Sequence, residues 1–538
     1  MHKITLTNEH IAAVERQRRI VINFDVSYAT NTCSQNYDDF DAYVESLFTF
    51  TDADGSQIDS IWWNWSEGNQ VPYKSEFLPL FDDPRYQQWV ADGIDIVDIV
   101  LQATHRRGKE SFYAHRINGL DNDLGPFAVI PMKVEHPEWQ FHVPWSTHEH
   151  NGCWNFALPE VHDYVLRNLK EIAERWPFDG IELDFARGVV FPPSQGWVNR
   201  DRLTEFMQRL RQCLQEIAAA RGRPFLLAAR VPDTLMGCHF DGLDVETWVR
   251  KQLLDMFTIG LRSLESDVFA FRRLTDGTHV KLYPAVDEHH ASDGYKQPGI
   301  ELFRGAAANW YAQGADGVQA FNFTYAPDEP FAGEVFWQSH RQFYLECGSP
   351  ETLTGRDRTF VVQRRGGGHG PSVIPNPDDW WTPRYQYNNS NMLATLPASI
   401  DNDGRTDTLL VLNVADPLDP GQLEALELRL LLSDPAAADL RDEQRLTTVT
   451  IATIGHADNG LLNVPPATGI EAHIEMRVNN ILLASPIVEN GWLVYRQVPP
   501  AVFAAGENLI GVCAAARTRE QETMQIEKLE LHVRYCTV

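Results

Sequence analysis

The chain is 538 residues long, too long for one ordinary domain and enough for two or three. Its 43% hydrophobic and 22% charged residues describe a folded globular protein and exclude wholesale disorder. Forty-six Lys and Arg against 74 Asp and Glu leave a net charge of −28, which argues against a nucleic-acid partner and against an anionic membrane surface, since both need surplus basic groups.

The opening segment, MHKITLTNEHIAAVERQRRI, lacks the apolar core of a secretory signal, and no apolar run approaches the length of a membrane span. The seven cysteines form no CxxC pair and read as reduced residues. A cytoplasmic location is the expectation. From 19 to 345, short apolar runs alternate with longer amphipathic segments, the pattern of a parallel α/β domain. The predicted strands are 19–25, 58–65, 110–118, 180–187, 225–232, 254–260, 280–286 and 317–323. Helices are predicted over 161–176, where Val161, Tyr164, Val165, Leu169 and Ile172 keep a 3.6-residue period, and over 203–221. Eight strands, each followed by a helix or a long loop, predict a (β/α)8 TIM barrel over 1–347. An open doubly wound sheet is the rival, but no G-x-G-x-x-G follows an early strand.

The connection from Asp121 to Pro159 is longer than an ordinary βα loop, and such loops tend to carry function. It holds Trp139, Trp145 and Trp154, whose flat rings suit sugar stacking. Residues 348–394 are rich in Gly and Pro and read as a connector or extended arm. Beyond 395, runs at 407–414, 425–432, 447–454, 470–478, 504–514 and 528–535 predict an antiparallel, jelly-roll-like β-sandwich to residue 538. This domain could bind sugar, with Trp492 as its main candidate ring, but is read first as a brace for the barrel or a contact for a homo-oligomer.

The segment FDGIELDFARG (178–188) is the most informative. Alternate side chains of a strand share a face, so Glu182 and Asp184 point the same way, roughly 7 Å apart. Asp184 falls near the carboxyl end of its strand, where a barrel presents its catalytic groups. Arg187 and Arg230 are guanidinium partners at hand, and structural ion pairs are the plainer reading of these acids. His115, Arg116 and Asn118 close the third strand, and Asn322 closes the eighth. They suit sugar hydroxyls or a substrate carboxylate, or else pair with the barrel acids. In the second strand Trp63 and Trp65 share one face and Trp62 takes the other, with Trp63 offered to the substrate. Asp287 and Glu288 follow the seventh strand and Asp25 ends the first.

The stretch HPEW…NFALPEVHDYVLRNLKEIAERWPFDGIELDFARG (136–188) resembles the bacterial glycosyl-hydrolase-like barrel proteins, also called family 10 glycosylhydrolase-like. AHRIN (114–118), GLDVETWVRKQLLDMF (242–257) and RGAAANWYAQGADGVQAFN (304–322) extend the resemblance over nearly the whole barrel. It implies a (β/α)8 fold and a carbohydrate substrate, without naming the sugar. The strand-four segment is also similar to the DxxDxDxE motif of family-18 chitinases. There Asp179, Glu182 and Asp184 match the first three acids, but Ala186 stands in place of the essential Glu. That departure removes a substrate-assisted mechanism.

Glycoside hydrolysis needs two carboxyl groups flanking the bond. Asp184 is the expected nucleophile or base, with Asp287 or Glu288 as partner, Asp25 after the first strand or Glu67 after the second as a substitute, and Glu182 in a direct or supporting role. No cofactor is expected. His148-Glu149-His150 and His289-His290 lack the i, i+4 spacing of zinc proteases, and no catalytic metal is expected. Two other classes stay open. One is a sugar lyase or isomerase, for which His115 beside an Arg would be the base. The other is a carbohydrate-binding protein without turnover.

Overall fold

The computed structural model describes residues 4–25, 40–48, 51–66, 70–81, 83–118, 130–142, 152–186, 188–192, 194–260, 263–287, 295, 298–321, 323, 334–364, 394–433, 473–515, 517–518, 520 and 523–536. Eight strands close a barrel: β1 (Ile20–Asp25), β2 (Ile58–Ser66), β3 (Glu110–Arg116), β4 (Gly180–Asp184), β5 (Leu226–Val231), β6 (Met256–Ile259), β7 (Lys281–Asp287) and β8 (Val318–Phe321). Each strand pairs in parallel with the next, and β8 returns to β1 through Ile20↔Val318 to Asn23↔Phe321. This is the expected (β/α)8 barrel, and each of the eight predicted barrel strands overlaps an observed one.

The strands form where the chain offers short, fully buried runs. β1 and β3 through β6 are buried at every position, as sheets covered on both faces must be. Outward-facing residues such as Ile181, Leu183, Leu227 and Phe257 enter the main core, against the helices. Among these are α1 (Asn8–Val14), α2 (Ile96–Arg106), α3 (Pro159–Arg175), α4 (Gly196–Arg221), α5 (Val268–Thr275), α6 (Ile300–Ala312) and α7 (Glu334–Glu346). Val161, Tyr164, Val165, Leu169 and Ile172 of α3 are all buried, as their period predicted. α4 stops at Gly222, whose φ of 69° is costly for any residue with a Cβ.

α1 belongs to none of the βα units. It lies across the amino-terminal mouth of the barrel, with Val14 in the apolar cluster that fills the lumen. Arg18, just after it, grips Glu110 at the start of β3 through Nε and Nη2, both at 2.6 Å, and caps Val14 O with Nη1 at 2.9 Å. His10 of α1 sits 2.8 Å from Asp255, which also receives both terminal nitrogens of Arg211 at 2.8 and 2.6 Å. The bottom is thereby sealed by charge pairs that leave few unmet polar groups.

The C-terminal domain contains β9 (Arg358–Val361), β10 (Thr408–Val414), β11 (Leu423–Ser433), β12 (Ile474–Val478), β13 (Trp492–Arg496), β14 (Gly506–Ala514) and β15 (Gln525–Tyr535). One antiparallel sheet runs β9-β15-β11-β13, and the other runs β10-β14-β12, each with short additional strands. β10 shows the alternation of a one-sided sheet: Leu410, Leu412 and Val414 are buried, while Leu409 and Val411 are exposed. The predicted strand at 447–454 lies outside the described residues. The expected connector is partly structured, because β9, inside 348–394, is an edge strand of the sandwich. β9 also packs on α6 so closely that a Cβ on Gly305 would stand 2.0 Å from Thr359 O. Arg304 adds a bond to Asp357 O at 2.9 Å, and Asn309 one to Asn413 O at 3.0 Å. The sandwich is docked directly on the barrel wall.

Candidate active site

Strand register sorts the barrel residues into two faces. Ala114, Glu182, Ala228 and Met256 are lateral neighbours, and one pleat nearer the carboxyl ends so are Arg116, Asp184, Arg230 and Thr258. Ala114, Ala228 and Met256 belong to the apolar cluster of Val21, Trp62, Phe112, Leu226 and Tyr283, which is separate from the main core and fills the lumen. These rows therefore face inward. Trp62 and Phe112 stack at 4.7 Å and 7°, and Gly180 leaves them room, since a Cβ there would lie 2.5 Å from the Phe112 ring. Above this apolar floor the lumen turns polar.

Glu182 occupies the lowest polar position and is fully buried. Asn23 donates to one of its oxygens at 2.6 Å, and Thr258 donates to the other at 2.7 Å. Arg230 approaches at 3.3 Å and Gln319 at 3.4 Å, while Gln319 accepts from Arg230 at 2.8 Å. Five strands, β1, β4, β5, β6 and β8, are tied through this one carboxylate. Burial pushes its carboxyl above the usual range, the Arg230 guanidinium opposes that shift, and Asp184 adds to it.

Asp184 stands one pleat higher and is nearly buried. Its Oδ1 accepts from the Ala186 amide at 3.0 Å, and its Oδ2 is 3.9 Å from Arg230 Nη1. Arg116 on β3 and Arg230 on β5 stand beside it in register on either side. The Arg116 guanidinium also donates to Asp25 at 2.5 Å, whose second oxygen accepts from Asn64 at 2.8 Å. Both guanidiniums face the ring of Phe321, Arg230 at 4.3 Å and Arg116 at 6.0 Å. Asp287 is in register with Phe321 and is fully buried. It interacts with His340 of α7, which is buried and stacked on Phe323 at 4.3 Å; burial pushes that imidazole down to about 3, with Asp287 opposing.

The structure thus gathers Asp25, Arg116, Glu182, Asp184, Arg230 and Asp287 from five strands into one belt at the carboxyl ends, two guanidiniums facing four carboxylates. Other expected residues go elsewhere. Trp63 faces the helices: it is fully buried, bonds Thr104 of α2 at 3.1 Å and packs on Phe24 and Phe48, while Trp62 takes the lumen position. His115 also points outward, beside Leu183, and desolvation pushes its imidazole down to about 4. Asn118 spends its amide on the backbone, donating to Trp154 O and Val189 O at 3.0 and 2.7 Å and accepting from Trp154 N at 2.8 Å. Trp154 is buried against Tyr164, with Lys133 Nζ 5.1 Å from its ring, so it braces the long connection. Trp139 is half-buried and stacks on His136 at 4.0 Å. Glu67, Trp145, Arg187, Glu288 and Asn322 lie outside the described residues. Asn23, Asn64, Thr258, Gln319 and His340 escaped the sequence reading. The first four lie at inward positions of predicted strands, so alternation was the signal that could have found them.

Among the described residues, no group of three or more His, Cys, Asp or Glu side chains is placed to hold a metal ion, and no helix is long and apolar enough to cross a membrane.

A closed (β/α)8 barrel with a charged belt in its lumen and a β-sandwich on its wall is the class that fold and site define. No family model matches the chain, and no curated protein matches it. Among solved structures it is similar to a noncanonic maltogenic α-amylase, AmyB, from Thermotoga neapolitana, at 11% identity and TM-score 0.38, covering 92% of this chain and 98% of that one. It is also similar to an α-L-fucosidase from Paenibacillus thiaminolyticus, at 11% identity and TM-score 0.39, covering 64% and 51% of the two chains. An α-galactosidase from Geobacillus stearothermophilus aligns at 11% identity and TM-score 0.36, over 97% of this chain and 56% of that one.

Proposed function

We propose that this chain is a glycoside hydrolase acting on an oligo- or polysaccharide, with Asp184 as nucleophile or base. The observation that carries the reading is the placement of Asp184. It is a carboxylate at the carboxyl end of a barrel strand, between two guanidiniums, in a lumen that holds further carboxyl groups. Hydrolysis of a glycosidic bond takes one carboxyl to protonate the leaving oxygen and another to attack the anomeric carbon or to activate water. Asp287, three strands round the barrel from Asp184, is the proposed acid. Asp25 suits that role less well, because Arg116 and Asn64 occupy both its oxygens. Arg116 and Arg230 orient Asp184 and can hold substrate hydroxyls. Glu182, with both oxygens occupied, positions Arg230 and is not assigned a chemical step.

The experiment is hydrolysis of aryl-α- and aryl-β-glycosides and natural oligosaccharides by the parent, Asp184→Asn and Asp287→Asn chains. Asp184→Asn is expected to lower turnover on the order of 10²–10⁴-fold on every substrate. Asp287→Asn should lose the natural oligosaccharides but retain aryl glycosides whose leaving group departs without protonation. Turnover that survives Asp184→Asn would move the chemistry off β4. A non-catalytic sugar-binding lumen is the second reading, favoured by the close pairing of Arg116 with Asp25. It predicts sugar binding with no turnover by the parent. A lyase using His115 is disfavoured, because that imidazole faces the helical layer.

A further inference from the structure

The contact of β9 with α6 joins the two domains along the barrel wall, yet the sandwich makes a second set of contacts at the barrel mouth. In a (β/α)8 barrel the connection that leaves a strand at its carboxyl end borders the mouth. Two such connections, from β6 to α5 and from β7 to α6, are gripped by the sandwich. In the first, Leu264 N donates to Gln363 Oε1 at 2.6 Å, and Gln363 N donates back to a Glu265 carboxylate oxygen at 2.7 Å. Gln363 stands two residues past β9 and is buried. The grip is passed on towards β5. Ser263 Oγ donates to Asp233 Oδ2 at 2.8 Å, and Asp267 N donates to Asp233 O at 2.9 Å. Asp233 lies just past β5, three residues after Arg230.

In the second connection Tyr295, eight residues after Asp287, has the Lys528 ammonium of β15 3.9 Å from its ring centroid. Lys528 is 3% exposed and Tyr295 is 5% exposed. A buried ammonium is costly unless opposite charge or a ring face compensates it. The Tyr295 ring supplies the face. Glu530, buried on the same side of β15 and 2.8 Å from His532, supplies the opposite charge. Aliphatic side chains would close a seam at lower cost, whereas an ammonium over a ring adds a preferred position. β6 leaves the barrel ladder after Ile259 and β7 after Asp287, so the course of both connections depends on contacts outside that ladder. We propose that Gln363 and Lys528 are positioning residues of the active site, fixing the two connections that border the mouth beside Asp287 and so setting how tightly a glycan that extends past the lumen is held. The glycan rests on the glycosidase reading; the fixing of the connections does not.

The test joins amide hydrogen exchange of the full chain to its kinetics. In Lys528→Met, which keeps most of the stem, exchange over 295–302 is expected to quicken about tenfold while peptides from β1 to β4 stay as they were. Gln363→Leu should do the same over 263–267. In Lys528→Met the KM for natural oligosaccharides should rise about tenfold with kcat near the parent's, and small aryl glycosides should be hydrolysed as before. Lys528→Arg, which returns a cation to the ring, should restore both readouts. Tyr295→Leu should reproduce the Lys528→Met pattern and takes its place if that variant does not fold. A contact that only held the domains together would lower the melting temperature and leave KM alone. Unchanged exchange in Lys528→Met and Tyr295→Leu overturns the inference, and so does quickened exchange with an unmoved KM; either result in a parent that hydrolyses glycosides leaves the glycosidase reading intact. A parent that hydrolyses nothing but binds oligosaccharides, about tenfold more weakly in Lys528→Met by titration calorimetry, supports the inference and overturns that reading. A parent that neither hydrolyses nor binds them overturns both.

Discussion

Glu182 has no water to face and four side chains to satisfy. Removing such a carboxylate strands Arg230, whose guanidinium is fully buried beside it. Glu182→Ala is therefore expected to destabilise the fold by about 3–5 kcal/mol, the cost of leaving a buried charge uncompensated. Glu182→Gln keeps the shape and some of the bonds and should cost less. Urea unfolding of the two variants checks the order, and equal losses would mean that Arg230 finds another partner. On β4, alternation was enough to pair Glu182 with Asp184 on one face. On β2 it correctly separated Trp62 from Trp63 but could not tell which face was inward, so the wrong indole was offered to the substrate. Asn23, Thr258 and Gln319 were passed over because a neutral side chain inside a strand carries no motif of its own. Their role exists only once five strands have been brought around one carboxylate.

At the scale of elements, the contact between α6 and β9 has the least slack. The 2.0 Å separation that a Cβ on Gly305 would have from Thr359 O involves backbone, which cannot swing aside as a side chain can. Gly305→Ala should force α6 and the sandwich apart and cost about 1–3 kcal/mol, as overpacking does. A lowered melting temperature with unchanged lumen chemistry is the expected signature; an unaltered melting temperature would show that the seam yields easily. The eight barrel strands were legible because each is a short buried run followed by an amphipathic segment or a long loop, and both signals are local. β9 was not, because four residues between a turn and a Gly-rich stretch look like linker until β15 pairs with them. β13 was missed for a similar reason: its five residues, Trp492–Arg496, begin directly after the turn at Asn490 and Gly491.

For the molecule as a whole, stability should fall in two stages on acidification. Burial holds the His115 imidazole down to about 4 in the folded chain, against about 6.5 when unfolded, so between these values the unfolded chain binds more protons. That contribution is complete above about pH 6.5 and is lost as pH falls towards 4, at about 1.4 kcal/mol per unit of difference. Asp255 acts lower. Burial alone would raise its carboxyl, but Arg211, His10 and His279 together hold it well below the usual range. Its contribution is complete above about pH 4 and disappears as pH drops through the folded value. Calorimetric melting from pH 7 to 4 should show the first stage, and the second should continue as the pH is taken below 3. His115→Gln should flatten the upper one without removing it, because His340, pushed down to about 3, titrates across the same window. A melting temperature constant between pH 6.5 and 4 would contradict this assignment.

The sealed lower mouth of the barrel has a consequence for synthesis. α1 leaves the ribosome well before the groups that neutralise and fix it: Glu110 follows Arg18 by 92 residues, and Asp255 follows His10 by 245. β1 waits longer still for its second neighbour, since Ile20 pairs with Val318. Until then the nascent chain carries an open parallel sheet with a bare leading edge, a shape prone to pairing with other chains. A ribosome that stalls short of β8 would release a chain with nearly all its barrel strands and no way to close them.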